Sequence, residues 1–146
     1  MPSITSRESA FKEVWTLLNA NAPTYTDKQG ETKTYNVVAS YPDTTPDFPI
    51  LVINPVNKTT RRLGMKQSSN NLSAKGEVMI EFYAKKSDKN NAIDSAVDSV
   101  ENTIETNNFS SLYLQREPFE QSDVDIVDIG GQKLNTVTLT VNITLR

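Results

Sequence analysis

The chain contains no histidine and no cysteine among its 146 residues. Without histidine the commonest general base is missing, and without cysteine so is the strongest thiol nucleophile, so Ser-His and Cys-His arrangements cannot be built. Disulfide frameworks and thiolate metal sites are excluded by the same absence. Glycine is scarce at five residues, and Gly64, Gly76 and the Gly130-Gly131 pair match no phosphate-binding fingerprint. No run approaches the roughly 18 consecutive apolar residues that span a bilayer. The opening residues MPSITSRESAFKEVW lack the basic-then-apolar order of a secretory signal. The expectation is therefore a cytoplasmic chain with no membrane partner, no cofactor, no metal and no catalytic site.

What is present is periodicity. A chain of this length suits one domain with one core. Thr5 with Glu8 three residues later fits a capping box, and Ala10, Phe11, Val14, Trp15, Leu17 and Leu18 recur on one broad helical face. The run NANAP ends that helix near residues 19–21, and Trp15 reads as its core anchor. Residues 22–34 read as a loop and residues 34–40 as a strand, while FPILVINPV, bounded by Pro49 and Pro55, reads as a short buried strand.

From Lys75 onward Val78, Ile80, Phe82 and Ala84 alternate with Glu77, Met79, Glu81 and Tyr83, the mark of a half-buried strand. Ser87 or Asp88 can cap a following helix whose Ala92, Ile93, Ala96, Val97, Val100 and Ile104 form an apolar stripe. SSLYLQREPFEQ carries no period that decides its state. Beyond it, two alternating segments flank Gly130-Gly131, a pair suited to the positive φ angles of a two-residue hairpin turn. In the last segment Val137, Leu139, Val141, Ile143 and Leu145 alternate with polar residues, which leaves one face for solvent or a partner. These elements predict an α+β fold, a single domain spanning 1–146, with a mainly antiparallel sheet, two principal helices on one face and a long extended loop or hairpin arm at 57–76.

Charge is distributed unevenly. The stretch NKTTRRLGMKQSSNNLSAKG, residues 57–76, holds Lys58, Arg61, Arg62, Lys66 and Lys75 and no acid, although the chain carries a net charge of −3. Asp94, Asp98, Glu101 and Glu105 line one stripe of the second helix. Glu117, Glu120, Asp123, Asp125 and Asp128 form a second acidic group. The helical stripe lacks the convergence from several elements that Mg²⁺ or Ca²⁺ requires. It reads either as a solvated face or as a docking surface for a basic partner.

Segregated opposite charges allow copies to meet head to tail, Lys58, Arg61, Arg62 and Lys66 of one against Asp94, Asp98, Glu101 or the 117–128 acids of the next. Leu63, Met65 and Leu72 are the apolar anchors of such a contact. The plainer alternative is a surface loop whose charge aids solubility. Sequence-specific nucleic-acid recognition is disfavoured by the acidic balance and by the lack of aromatics among the basic residues.

The strand-to-helix segment GEVMIEFYAKKSDKNNAIDSAVDSVENTIETN, the helix SRESAFKEVWTLL and the terminal strand TVTLTVNITLR together resemble the tail terminator and tail-completion proteins of long-tailed bacteriophages. The resemblance is one of pattern over most of the chain. It implies a structural virion protein, assembled in the host cytoplasm, that forms a hexameric ring at the head-proximal end of the tail. Such a ring caps the tail tube and joins tail to head. Its partners would be further copies of the chain, the tail tube protein and a head-completion or connector protein, with genomic DNA passing through the lumen without sequence-specific binding. A head-tail connector ring and a non-viral small binding module are the alternatives.

Overall fold

The computed structural model describes residues 7–26, 29–40, 48–62, 72–86 and 91–145. The residues proposed as helix caps, Thr5 and Ser87 or Asp88, lie outside them. In chain order the elements are helix α1 (Arg7–Ala20) and strands β1 (Thr24–Thr26), β2 (Thr32–Thr34), β3 (Asn36–Val38), β4 (Ile50–Ile53), β5 (Asn57–Arg62) and β6 (Leu72–Lys85). Helix α2 (Asn91–Thr106) and strands β7 (Leu112–Gln121), β8 (Asp125–Ile129) and β9 (Gln132–Leu145) follow. This is the expected α+β architecture.

Two 14-residue strands, β6 and β9, form the spine of the main sheet and pair antiparallel from Ala74 opposite Leu145 to Lys85 opposite Leu134. On the other side of β6 lie β5 at one end and β4 at the other. On the other side of β9 lie β7 and β8 in the same end-to-end manner. Among the described residues the single parallel pairing is β3 on β4.

Both outer rungs are broken at prolines, as a residue without an N–H demands inside a ladder. Ile53 faces Ile80 and Asn57 faces Glu77, so the β4–β5 rung carries one extra residue around Pro55, a bulge. Asn54 holds it closed: its backbone N–H and its Nδ2 both donate to the Met79 carbonyl, at 3.0 and 3.1 Å. The β7 rung shifts register between Leu114 and Phe119, a span that includes Pro118. There Gln115 Nε2 donates to the Ile143 carbonyl in place of a backbone group. Between β7 and β8, Ser122 continues the ladder, its N–H donating to the Thr138 carbonyl and its Oγ accepting from the Thr138 N–H.

Strand alternation decides which side of the sheet the helices cover. Val78, Ile80, Phe82 and Ala84 of β6, with Val137, Leu139, Val141, Ile143 and Leu145 of β9, are buried against Ala10, Val14 and Leu18 of α1 and Ile93, Ala96, Val97, Val100 and Ile104 of α2. Each Val, Leu, Ile or Phe side chain among them, removed from water, contributes about 1.5–3 kcal/mol before chain entropy is counted. On the opposite face Thr136, Thr138, Thr140, Asn142 and Thr144 are half-buried, with no helix above them among the described residues. A smaller apolar cluster, Phe48, Ile50, Val52 and Leu134, closes one end of that face.

Two expectations are corrected here. Trp15 is half-buried and packs at the margin of the core, as does Phe11, while Val14 and Leu18 are the buried anchors of α1. Helical geometry explains this, because Trp15 lies about 100° around the axis from Val14 and reaches only the edge of the buried stripe. Within residues 22–34, Thr24–Thr26 and Thr32–Thr34 pair antiparallel as β1 and β2, with Gly30 at φ +82° between them. The pair is anchored by Tyr35, which makes edge-to-face contacts with Tyr25 at 5.9 Å and with Phe82 at 6.1 Å between ring centroids.

Candidate interaction surface

The basic stretch belongs to a β-hairpin. Residues 57–62 pair with residues 72–77, with Lys58 opposite Gly76, Arg61 opposite Ser73 and Arg62 opposite Leu72. Lys58, Arg61 and Arg62 thus stand on strand β5, and Leu72 opens β6 across from Arg62. Among the described residues β5 pairs with β6 alone, so it is an edge strand of the sheet. Leu63, Met65 and Lys66 lie outside the described residues.

The acidic groups sit elsewhere. Asp94 and Asp98 are exposed on α2, and neither has an ion-pair partner among the described residues. Glu101 is half-buried, and it accepts a 2.6 Å hydrogen bond from Gln121 Nε2. One of its carboxylate oxygens is therefore already engaged within the chain. Glu117 and Glu120 on β7, Asp123 in the connection, and Asp125 and Asp128 on β8 are all exposed along the edge opposite β5. Strands β6 and β9 intervene, so three interstrand spacings, roughly 14 Å, separate β5 from the first half of β7, while β8 lies farther off, across from β4 at the other end of the spine strands. That exceeds the screening length of about 8 Å at physiological ionic strength. Within one chain the two edges do not neutralise each other.

Apolar exposure follows the acidic edge. The exposed large hydrophobic residues among those described are Met79 at 37%, Tyr113 at 54%, Val124 at 38% and Ile126 at 56%. Three of these four lie within residues 112–129, interleaved with the acids.

Glu13 of α1 secures the entrance to β7. Its carboxylate accepts from the Ser110 N–H at 2.6 Å, from Ser110 Oγ at 2.8 Å and from Ser111 Oγ at 3.1 Å. Burial pushes this carboxyl up, but the hydrogen bonds from Ser110 and Ser111 outweigh it and hold the pKa below the ordinary glutamate value.

Sequence reasoning overlooked one cluster. An open cleft of about 310 Å³ is lined by Lys33, Thr34, Asn36, Phe48, Pro49, Lys85 and Gln132. Lys86 and Lys133 line an adjoining depression with Lys85 and Gln132. These lysines come from β2, β6, β9 and the residue after β6, separated by up to a hundred positions. The pairing of Lys85 with Leu134 brings Lys85, Lys86 and Lys133 together, and the β1–β2 hairpin adds Lys33. No linear charge run signals the cluster.

No group of three or more Asp and Glu side chains among the described residues is placed to share a metal ion. Comparison of the sequence with protein-family models and with curated proteins returns no match.

Proposed function

We propose that this chain is a structural assembly protein, a tail terminator that closes into a hexameric ring, caps the tail tube and joins tail to head. The observation that carries the reading is the segregation of charge to opposite edges of one sheet. Basic β5 forms one edge, and the acidic β7–β8 rung with its exposed Tyr113, Val124 and Ile126 forms the other. Complementary surfaces at opposite ends of a subunit make a head-to-tail contact, and such contacts close into rings when the rotation permits. Exposed ion pairs contribute only about 0–1 kcal/mol each, so apolar area supplies affinity while charge selects register and speeds encounter.

The test is assembly. Native mass spectrometry and electron microscopy of the protein, alone and mixed with tail tubes, should give a species six times the subunit mass seated at one tube end. Arg61→Glu with Arg62→Glu should abolish that species while the circular dichroism spectrum stays unchanged. Unimpaired capping by the double variant would remove β5 from the contact, and tubes left uncapped by the unaltered protein would refute the function.

One observation favours a second reading, a binding module for a small anion. The lysine-lined cleft holds Lys33 and Lys85 beside the polar groups of Asn36 and Gln132. Titration with inorganic phosphate, followed by shifts of the amide resonances of Lys85 and Gln132, separates the two readings. A cleft that binds phosphate in a chain that never assembles would establish the module.

A further inference from the structure

We infer that β5 of one copy adds itself to the β7–β8 edge of the next, so that the sheet continues from subunit to subunit through backbone hydrogen bonds. The inference rests on the ring reading above and specifies its contact. An exposed strand edge presents unpaired N–H and C=O groups, and another strand can satisfy them by augmentation. Among the described residues both outer rungs offer such an edge, β5 pairing with β6 alone, and β7 and β8 with β9 alone.

Direction is compatible. Each step from β5 to β6, from β6 to β9 and from β9 to β7 is antiparallel. After three reversals β7 runs opposite to β5. A neighbour placed with its β5 beside β7, in the same orientation as the first subunit, continues the antiparallel ladder without inversion.

Charge then selects between the possible pairings of these edges. Two β5 strands side by side would bring Lys58, Arg61 and Arg62 of each against the same three residues of the other. Two β7–β8 rungs would oppose five acids to five, relieved by Arg116 alone. Like charges directly opposite on a ladder destabilise it, and opposite charges support it. In unshifted register Lys58 lies across from Leu114 and Thr60 from Leu112, so β5 must slide along β7 to bring Arg61 and Arg62 beside Glu117 and Glu120; with that slide β5 against β7 is the one complementary pairing of the three. The exposed Tyr113, Val124 and Ile126 supply apolar contact on the acidic side. Lysine, arginine and a proline bulge on edge strands also guard against indiscriminate pairing. The same features here reject the two self-pairings and admit the mixed one.

The native chain lacks cysteine, so disulfide mapping needs no background substitutions. One variant carries Thr59→Cys, and a second set carries a single cysteine at Tyr113, Arg116, Glu117 or Glu120. Antiparallel ladders bring opposite Cα atoms to about 4.5–5.5 Å, within the 4.4–6.8 Å that a disulfide spans. The roughly 14 Å between edges of one subunit excludes a bond within the chain. Thr59→Cys is mixed with each partner variant, alone and on tail tubes, and oxidised with copper-phenanthroline.

The expected result is a cross-linked dimer between unlike variants, strongest at one β7 position and falling away on either side of it. Rings of full mass with no β5-to-β7 cross-link, or with Thr59→Cys joined to itself, would overturn the strand pairing and leave the ring function standing. Absence of assembly both alone and on tubes would overturn both.

Discussion

Single residues test how the framework around the two edges is held. Gly130 and Gly131 adopt φ of +60° and +81° in the two-residue turn joining β8 to β9, and no atom lies within 4 Å of where a Cβ on Gly131 would sit. Gly131→Ala therefore meets no clash, and its cost is conformational alone, about 1–2 kcal/mol, readable as a lower urea midpoint at unchanged slope. Glu13 tests the junction of α1 with the entrance to β7. Because its pKa is lowered on folding, its stabilisation is complete above the ordinary glutamate range and is lost as pH falls through the folded value. Glu13→Gln should cost about 1 kcal/mol at neutral pH, the low end for a charged acceptor because the group is partly solvated. The difference between the two proteins should shrink steadily below about pH 4.5, and a pH-independent gap would show that the charge contributes nothing.

At the level of elements, α2 presents two stripes with different duties. Ile104 is buried against the sheet, whereas Asp98 is exposed beside it. Ile104→Ala should destabilise by about 2–5 kcal/mol, and Asp98→Asn should stay within about 0.5 kcal/mol, both measured by chemical denaturation. The contrast reflects what periodicity encodes. The apolar alternation of Val78 to Ala84 and of Val137 to Leu145, and the helical stripe from Ile93 to Ile104, made β6, β9 and α2 legible, because each presents one face to the core. The β1–β2 hairpin was hidden, since three-residue strands reading TYT and TKT are too short to express a period. β7 was obscured because its register shift, in a span holding Glu117 and Pro118, breaks the alternation that would have marked it. Trp15 misled because size and hydrophobicity do not report where on the helical circumference the core ends. Which strands become edges is a property of long-range pairing. The charge of residues 57–62 was visible from the outset, but its position opposite the acidic rung was not.

For the whole molecule, the proposed head-to-tail assembly implies a polarity that charge exchange can reveal. Variant one carries Arg61→Glu and Arg62→Glu, which makes β5 acidic and sets it against the acidic edge of its own kind. Variant two carries Glu117→Lys and Glu120→Lys, which sets an altered edge against native β5. Each alone should assemble at least about tenfold more weakly, a change of roughly 1.4 kcal/mol per contact. Mixed in equal amounts they should recover, since the acidic β5 of the first meets the basic edge of the second, and native β5 of the second meets the native edge of the first. Recovery requires strict alternation, so the rings should contain the two variants in equal numbers, as native mass spectrometry can count. A two-fold contact between β5 strands predicts a different pattern, in which variant two alone assembles normally. Salt sharpens the comparison: Glu117 and Glu120 are exposed to mobile ions, so raising ionic strength should relieve the defect of each single variant and weaken the recovered mixture.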